Sequence, residues 1–208
     1  MLPLRGFTLA EVLITLGIIG VVATLTIPTL ISNNNKRVVE THLAKFYSTM
    51  QNAVELSEIE NGPKEKWDEF ITDCTPEEWF NKYLKDYIKV SKVVTDDGFL
   101  NLTFTDGSLL TWDAWAIYFY PKAKDAESGN HVRGKTQFVF HFKPKGGTNL
   151  EYHKNKGFEP YLWAWDGTET SLRNNASFGC NGINGGHYCT QLIRQNGWKI
   201  PDDYPFKF

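Results

Sequence analysis

The side chain most able to do chemistry in this sequence is Glu11, the only charged residue within the apolar segment 7–31. A carboxylate at the centre of a bilayer helix costs roughly 2.5–3.5 kcal/mol, so it needs a partner. A cut between Gly6 and Phe7 would keep the apolar segment on the mature chain and place a new amino group one helical turn from Glu11. That amine is available to neutralise a carboxylate on the same or a neighbouring chain. The alternative is a plain anchor helix whose carboxylate extends to the headgroups.

A second chemical pattern lies at 129–136, which fits the phosphate-binding sequence G-x-x-x-x-G-K-[ST]. A phosphate site of this kind needs a strand before the loop and a helix N-terminus after it. Residues 137–142 alternate in the manner of a strand instead. We therefore interpret the pattern as a glycine-bounded surface loop and predict no nucleotide binding.

The other polar residues show no pattern of catalysis or metal binding. The five histidines lack the H-x-x-x-H and H-E-x-x-H spacings, and no G-x-S-x-G sequence is present. We expect each histidine to be hydrogen-bonded or to face solvent. The acidic pairs at 96–97 and 202–203 lack a spaced calcium-binding ladder, so turn and cap roles are expected. The sequence predicts no enzyme, no metal and no cofactor.

The three cysteines, Cys74, Cys180 and Cys189, contain no C-x-x-C pair, which argues against zinc. Outside the cytoplasm a disulfide is permitted. The first choice joins Cys180 to Cys189 across a loop rich in glycine and asparagine, which would add ~2–3 kcal/mol of stability. Cys74 would then remain a thiol. The rival pairing joins Cys74 to either of the others.

The element that positions Glu11 is a long helix. Residues 7–31 would span roughly 37 Å as a helix, enough to cross a bilayer core of ~30 Å. Over 35–60 the apolar residues follow helical spacing and predict one buried stripe. We expect Pro28 to loosen the middle and Asn61-Gly62-Pro63 to end the helix. The predicted stripe is Val39, Leu43, Phe46, Met50, Ala53 and Val54.

The rest of the chain, residues 32–208, is predicted to form a globular head. Thr75-Pro76-Glu77-Glu78 is a capping box that starts a second helix. Alternating apolar residues and turn signals predict an antiparallel sheet packed on the long helix, and the stretch from 171 onward is loop-like. The predicted strands are 100–104, 109–120, 138–142 and 161–165.

The length and the net charge of the chain limit the classes of function it can have. The chain has 208 residues and a formal charge of −2, so it is not a polybasic nucleic-acid binder. About 175 residues outside the apolar segment are one ordinary domain. The count of 7 Trp, 9 Tyr and 14 Phe supports a sizeable core.

The string Gly6-Phe7-Thr8-Leu9-Ala10-Glu11-Val12 resembles the N-terminal signature of type IV prepilins and type II secretion pseudopilins. In that family a membrane peptidase cleaves after the glycine and methylates the new N-terminal residue, here Phe7. The matching glutamate, Glu11, pairs with the amine of the next subunit, and Pro28 matches a helix-loosening proline. The resemblance implies an α+β, pilin-like fold with a leader (1–6), a transmembrane and filament-core helix (7–31) and an antiparallel β-sheet head (32–208).

By this resemblance the protein is a structural subunit of a type II secretion pseudopilus, slightly favoured, or of a type IV pilus. Expected partners are other pilin-like subunits, the prepilin peptidase, the inner-membrane assembly platform with its cytoplasmic ATPase and, before assembly, lipid. The expected location is the bacterial inner membrane with an extracytoplasmic head, then a periplasmic or surface filament. The alternative is a membrane-anchored head that binds a glycan or substrate through Trp163, Trp165 and the C-terminal loop, and does not polymerise.

Overall fold

The order of elements in the computed structural model is a long helix, then a sheet interleaved with short helices, in an α+β arrangement. The structure describes residues 6, 8–96, 98–181, 183 and 185–208. These described residues form two compact units, one of those up to 37 together with 208, and the other of those from 38 to 207. We call the second the globular unit. The helices are α1 (Leu9–Asn61), α2 (Pro76–Tyr83), α3 (Ala123–Glu127), α4 (Glu169–Asn174) and α5 (Cys189–Gln195). The strands are β1 (Val90–Asp96), β2 (Phe99–Phe104), β3 (Leu109–Trp112), β4 (Ile117–Tyr120), β5 (Phe138–Phe142) and β6 (Phe158–Pro160).

Helix α1 continues through Pro28 and ends at Asn61. Proline removes the N–H that would bond to the carbonyl of Thr24, but the helical assignment is unbroken on both sides. The predicted end after Asn61 is confirmed. Gly62 has a φ of +74°, a left-handed conformation that glycine adopts without a steric penalty, and a proline follows it.

The stripe on the second half of α1 is buried as predicted. All six stripe residues are among the buried residues of α1, together with Glu40 and Ser57. The ring of Phe46 stacks on Phe119 of β4 with centroids 4.2 Å apart, and meets Phe104 of β2 and Phe140 of β5 edge-on. One helical ring therefore contacts three strands of the sheet, which is the packing that fixes this part of α1 against the sheet.

Helix α2 begins as its sequence predicts. Thr75 Oγ1 accepts from the N–H of Glu78, and Glu78 Oε2 accepts from the N–H of Thr75, which completes the capping box. The buried residues of this helix join a cluster of indole rings. Trp79 lies 4.7 Å from Trp112 between ring centroids, and Trp67 stacks on Tyr83 at 4.4 Å.

The sheet is an antiparallel meander in the order β1-β2-β3-β4-β5-β6. The predicted long strand at 109–120 is wrong, because the chain reverses inside it. Asp113 Oδ1 accepts from the N–H groups of Trp115 and Ala116 at 2.7 and 2.8 Å, and this side-chain turn joins β3 to β4. Trp112 and Ile117 consequently face each other as the first pair of a hairpin.

The predicted strand at 161–165 is also wrong. The strand in this region is β6, which ends at Pro160, and Ala164 has a φ of +53° that no strand residue adopts. Trp163 and Trp165 therefore do not share a strand face. The region from 171 onward, predicted to be loop-like, contains part of α4 and all of α5.

Candidate functional site

The first half of α1 presents apolar side chains to solvent on all sides. Within the described residues, α1 is the one helix long and apolar enough to cross a membrane, and none of its most apolar stretch is buried. Its exposed side chains are Leu9, Val12, Leu13, Ile14, Leu16, Ile18, Ile19, Val21, Val22, Leu25, Ile27, Leu30 and Ile31. A surface of this extent requires lipid or protein to cover it.

Glu11 lies in the first turn of α1 and is held by Thr8. Its Oε2 atom accepts from the N–H and the hydroxyl of Thr8, both at 2.8 Å, while Thr8 Oγ1 accepts from the N–H of Glu11 at 3.3 Å. This is a capping box with the same spacing as the one that starts α2. The Thr-x-x-Glu pattern is visible in the sequence, but the predicted roles of Glu11, pairing with an amine or reaching the headgroups, did not include capping.

The predicted processing site is described only at Gly6, which is exposed. Phe7, like residues 1–5 of the leader, lies outside the described residues. The cleavage between Gly6 and Phe7 therefore stays a prediction.

The cysteine pair ranked first from sequence, Cys180 and Cys189, is bonded in the structure, with Cα atoms 4.8 Å apart. Cys74 is a half-buried thiol. Cys189 is the first residue of α5, and the N–H of Cys180 donates to the carbonyl of Leu172 in α4 at 2.7 Å. The disulfide thus joins the start of α5 to the chain beside α4.

Gly134, in the phosphate-loop pattern, has a structural explanation. A β-carbon at this position would lie 2.5 Å from Cys189 Sγ and 2.8 Å from a ring carbon of Phe206, and the glycine has a φ of +83°. Only glycine permits that approach. The chain then enters strand β5 rather than a helix, as predicted, so the features that hold a phosphate are missing here.

A buried ion pair connects α1 to the C-terminal part of the globular unit. Arg194 Nη1 of α5 lies 2.5 Å from Glu159 Oε2 of β6, and the glutamate side chain is only 5% exposed. Tyr47 of α1 donates its hydroxyl to the other Glu159 oxygen and accepts from Arg194 Nη2. The hydroxyl of Tyr152 adds contacts to both charged groups. The charges are thus both paired and hydrogen-bonded, which a buried pair requires.

Two histidines are buried side by side, which the sequence did not predict. His141 Nδ1 and His153 Nε2 are 3.1 Å apart. Burial lowers the pKa of His153 to about 3 and that of His187 to about 4. His153 is hydrogen-bonded through Nε2, whereas the Nδ1 atoms of His153 and His187 have no hydrogen-bond partner among the described residues.

The acidic pairs expected in turns are accounted for only in part. Asp203 forms an ion pair with Arg173 of α4 at 3.1 Å, whereas Asp97 lies outside the described residues. Within the described part of the chain, no group of three or more His, Cys, Asp or Glu is arranged to hold a metal ion.

A family model described as "Family of unknown function (DUF6613)" matches residues 29–208. The chain belongs to the DUF6613 family. The matched region includes the whole of the predicted head and leaves the string at 6–12 outside it. No curated protein and no solved structure matches the chain.

The features of this DUF6613 chain fall into two sites. The first is the exposed apolar half of α1 with Glu11 in its first turn, which can pack against lipid or other helices. The second is the aromatic and histidine-rich side of the globular unit around His141. The first carries the functional proposal, and the second carries a further inference.

Proposed function

We propose that this protein is a structural subunit of a filament of the type II secretion pseudopilus or type IV pilus class. In this proposal the leader is cleaved between Gly6 and Phe7, the new N-terminus is methylated, and the subunits polymerise through residues 7–31. The observation that carries the proposal is the position of Glu11, the only charge in the apolar segment and four residues after Phe7.

The exposed apolar surface of α1 supports the proposal. Lipid covers this surface before assembly, and the same surface packs against other subunits in the filament. Helices in lipid gain little from the hydrophobic effect when they associate, so packing and polar contacts must drive assembly. A carboxylate paired with an amine in that environment is a strong polar contact, because few other groups compete for either charge.

The hydrogen bonds between Thr8 and Glu11 provide a competing explanation for the carboxylate. A glutamate at the third helical position is explained by capping alone, as Glu78 is in α2. Capping needs an oxygen acceptor, whereas pairing with an amine needs a negative charge. Glutamine supplies the first and not the second, and this difference separates the two roles.

The test compares filament assembly by wild type, Glu11→Gln and Glu11→Ala in the native cells. Assembly is measured as the share of subunits found in sheared or sedimented filaments. The proposal predicts that both variants reduce assembly by at least about tenfold, a loss of roughly 1.4 kcal/mol or more per contact. Thr8→Ala, which removes the capping partner and keeps the charge, should assemble. Normal assembly of Glu11→Gln would show that the residue only caps the helix.

If neither Glu11 variant changes assembly and the wild-type subunits are found only in the membrane fraction, the result would favour a membrane-anchored binding protein. The partners implied by the filament proposal are the prepilin peptidase, other pilin-like subunits and the inner-membrane assembly platform. The location it implies is the bacterial inner membrane with an extracytoplasmic head, followed by a periplasmic or surface filament.

A further inference from the structure

A cavity of about 290 Å³ opens on the globular unit between the β3–β4 turn, β5 and the segment after β6. Ligand pockets in proteins start near 300 Å³, so this cavity has room for one ring and a substituent. Its walls are mainly aromatic and half-buried, with rings supplied by three separate parts of the chain. These rings are Tyr118, Tyr161, Trp163 and Phe178, and Trp115 lies at the rim with 78% of its surface exposed.

The walls are held in place by the residues behind them. The ring of Tyr161 lies 4.1 Å from that of His141 and 4.8 Å from that of His187, measured between centroids. His141 is 2% exposed and is hydrogen-bonded to His153. A pre-formed wall of this kind lowers the entropy lost on binding.

The charge in the cavity is positive. Lys143 lines it, and its Nζ atom donates to the carbonyl of Ala114 at 3.3 Å. Among the described residues no carboxylate lies within 4.0 Å of that nitrogen, and no Asp or Glu lines the cavity. The carboxylates of Glu69 and Asp113 attract Lys143 from a greater distance, and burial lowers the pKa of Lys143.

One of these two carboxylates, that of Asp113, directs Oδ1 to the N–H groups of the β3–β4 turn. The histidines of the wall are neutral near pH 7, because burial lowers the pKa of His141 and His187. The cavity therefore combines flat apolar faces with an ammonium group that forms no ion pair within 4.0 Å among the described residues.

We propose that this cavity binds a small ring-bearing carboxylate, with its ring against Tyr161 and Trp163 and its carboxylate on Lys143. Aromatic faces accept both aromatic rings and the apolar face of a sugar ring. A carboxylate on a partly buried ammonium forms a charge-assisted hydrogen bond. The ligand is thus an acidic sugar or an aromatic acid. This inference is independent of polymerisation, because it concerns the globular unit alone.

The experiment is ligand-observed saturation-transfer NMR on the full chain in detergent micelles. The acidic probes are glucuronate and benzoate, each compared with a neutral analogue, methyl glucoside and benzyl alcohol. We expect one acid to bind at least about tenfold more tightly than its neutral analogue, since a charged hydrogen bond contributes roughly 1.5–3 kcal/mol. The acid that binds more tightly identifies the source. Equal binding of acids and neutral analogues, or no transfer up to about 10 mM, would overturn the proposal.

Two variants test the named contacts. Lys143→Gln should remove the preference for the acid, while Lys145→Gln, a neighbouring lysine that pairs with Glu69 and does not line the cavity, should keep it. Trp163→Ala should lose binding of both probe classes, whereas Trp165→Ala should retain it because Trp165 does not line the cavity. A preference for the acid that survives in folded Lys143→Gln would contradict the proposal.

Discussion

The buried pair His141 and His153 should make the globular unit unstable in acid. Burial lowers the pKa of His153 from its ordinary value of 6.5 to about 3. Between these values the unfolded chain holds a proton that the folded chain does not, so the free energy of unfolding falls as the pH drops through this window. Relative to about pH 7.5, the loss from His153 at about pH 5 is roughly 2 kcal/mol. The lowered pKa of His141 acts in the same direction.

The assay is urea unfolding of the full chain in detergent, followed by tryptophan fluorescence at both pH values. All seven tryptophans lie between 67 and 198, so the signal reports on the globular unit. His153→Gln can still donate to His141 but cannot be protonated, and it should lose about 2 kcal/mol of the pH dependence. His131→Gln, which changes an exposed histidine bonded to Tyr120, is the control and should keep the wild-type pH dependence. Identical pH dependence in wild type and His153→Gln would refute the reasoning.

Two further predictions concern stability and use the same unfolding assay. Glu159→Gln should lower the free energy of unfolding by about 2–3 kcal/mol, less than the ~3–5 kcal/mol of a fully buried pair, because its partner Arg194 is 27% exposed. The control Glu169→Gln, in a surface pair with Arg173, should lower it by under about 1 kcal/mol. Equal effects of the two variants would contradict this prediction. Gly134→Ala should cost at least about 1–3 kcal/mol more than Gly129→Ala, because both glycines have positive φ but only the first would bring a β-carbon against Cys189. Similar stability of the two alanine variants would show that the close approach is relieved at little cost.

Helices with local signals were predictable from the sequence. The start of α2 follows from Thr75, Pro76 and Glu78, because a capping box is made entirely by neighbouring residues. The buried stripe of α1 follows from helical spacing alone, and its end follows from Gly62 and Pro63. In each case the interaction that fixes the element lies within one or two turns of chain.

The two strand predictions that are wrong concern segments whose local sequence pattern fits either a strand or a turn. The reversal at 113–116 contains neither glycine nor proline, and the side chain of Asp113 makes the turn. The aromatic stretch 109–120 therefore predicts one strand where the structure has two. Residues 161–165 alternate in polarity and size as a strand does, but the chain leaves the sheet after Pro160. Helices α4 and α5 have six and seven residues, too few to give a clear period.

Of the two candidate sites, one could be predicted from a local sequence pattern and the other could not. The apolar segment and Glu11 were identified from sequence because their unusual feature, one charge in an apolar helix, is local. The pair His141 and His153 and the cavity beside Lys143 depend on residues distant in the chain that the sheet brings together. No spacing rule marks such a group, because its members come from different elements.

The filament proposal is tested most directly by the intact mass and N-terminal sequence of the protein purified from its native membrane. The account predicts a chain that starts at N-methylated Phe7 and lacks residues 1–6. A chain that still carries Met1 and the leader would contradict it. That result would make α1 a plain membrane anchor and leave ligand binding by the globular unit as the function to pursue.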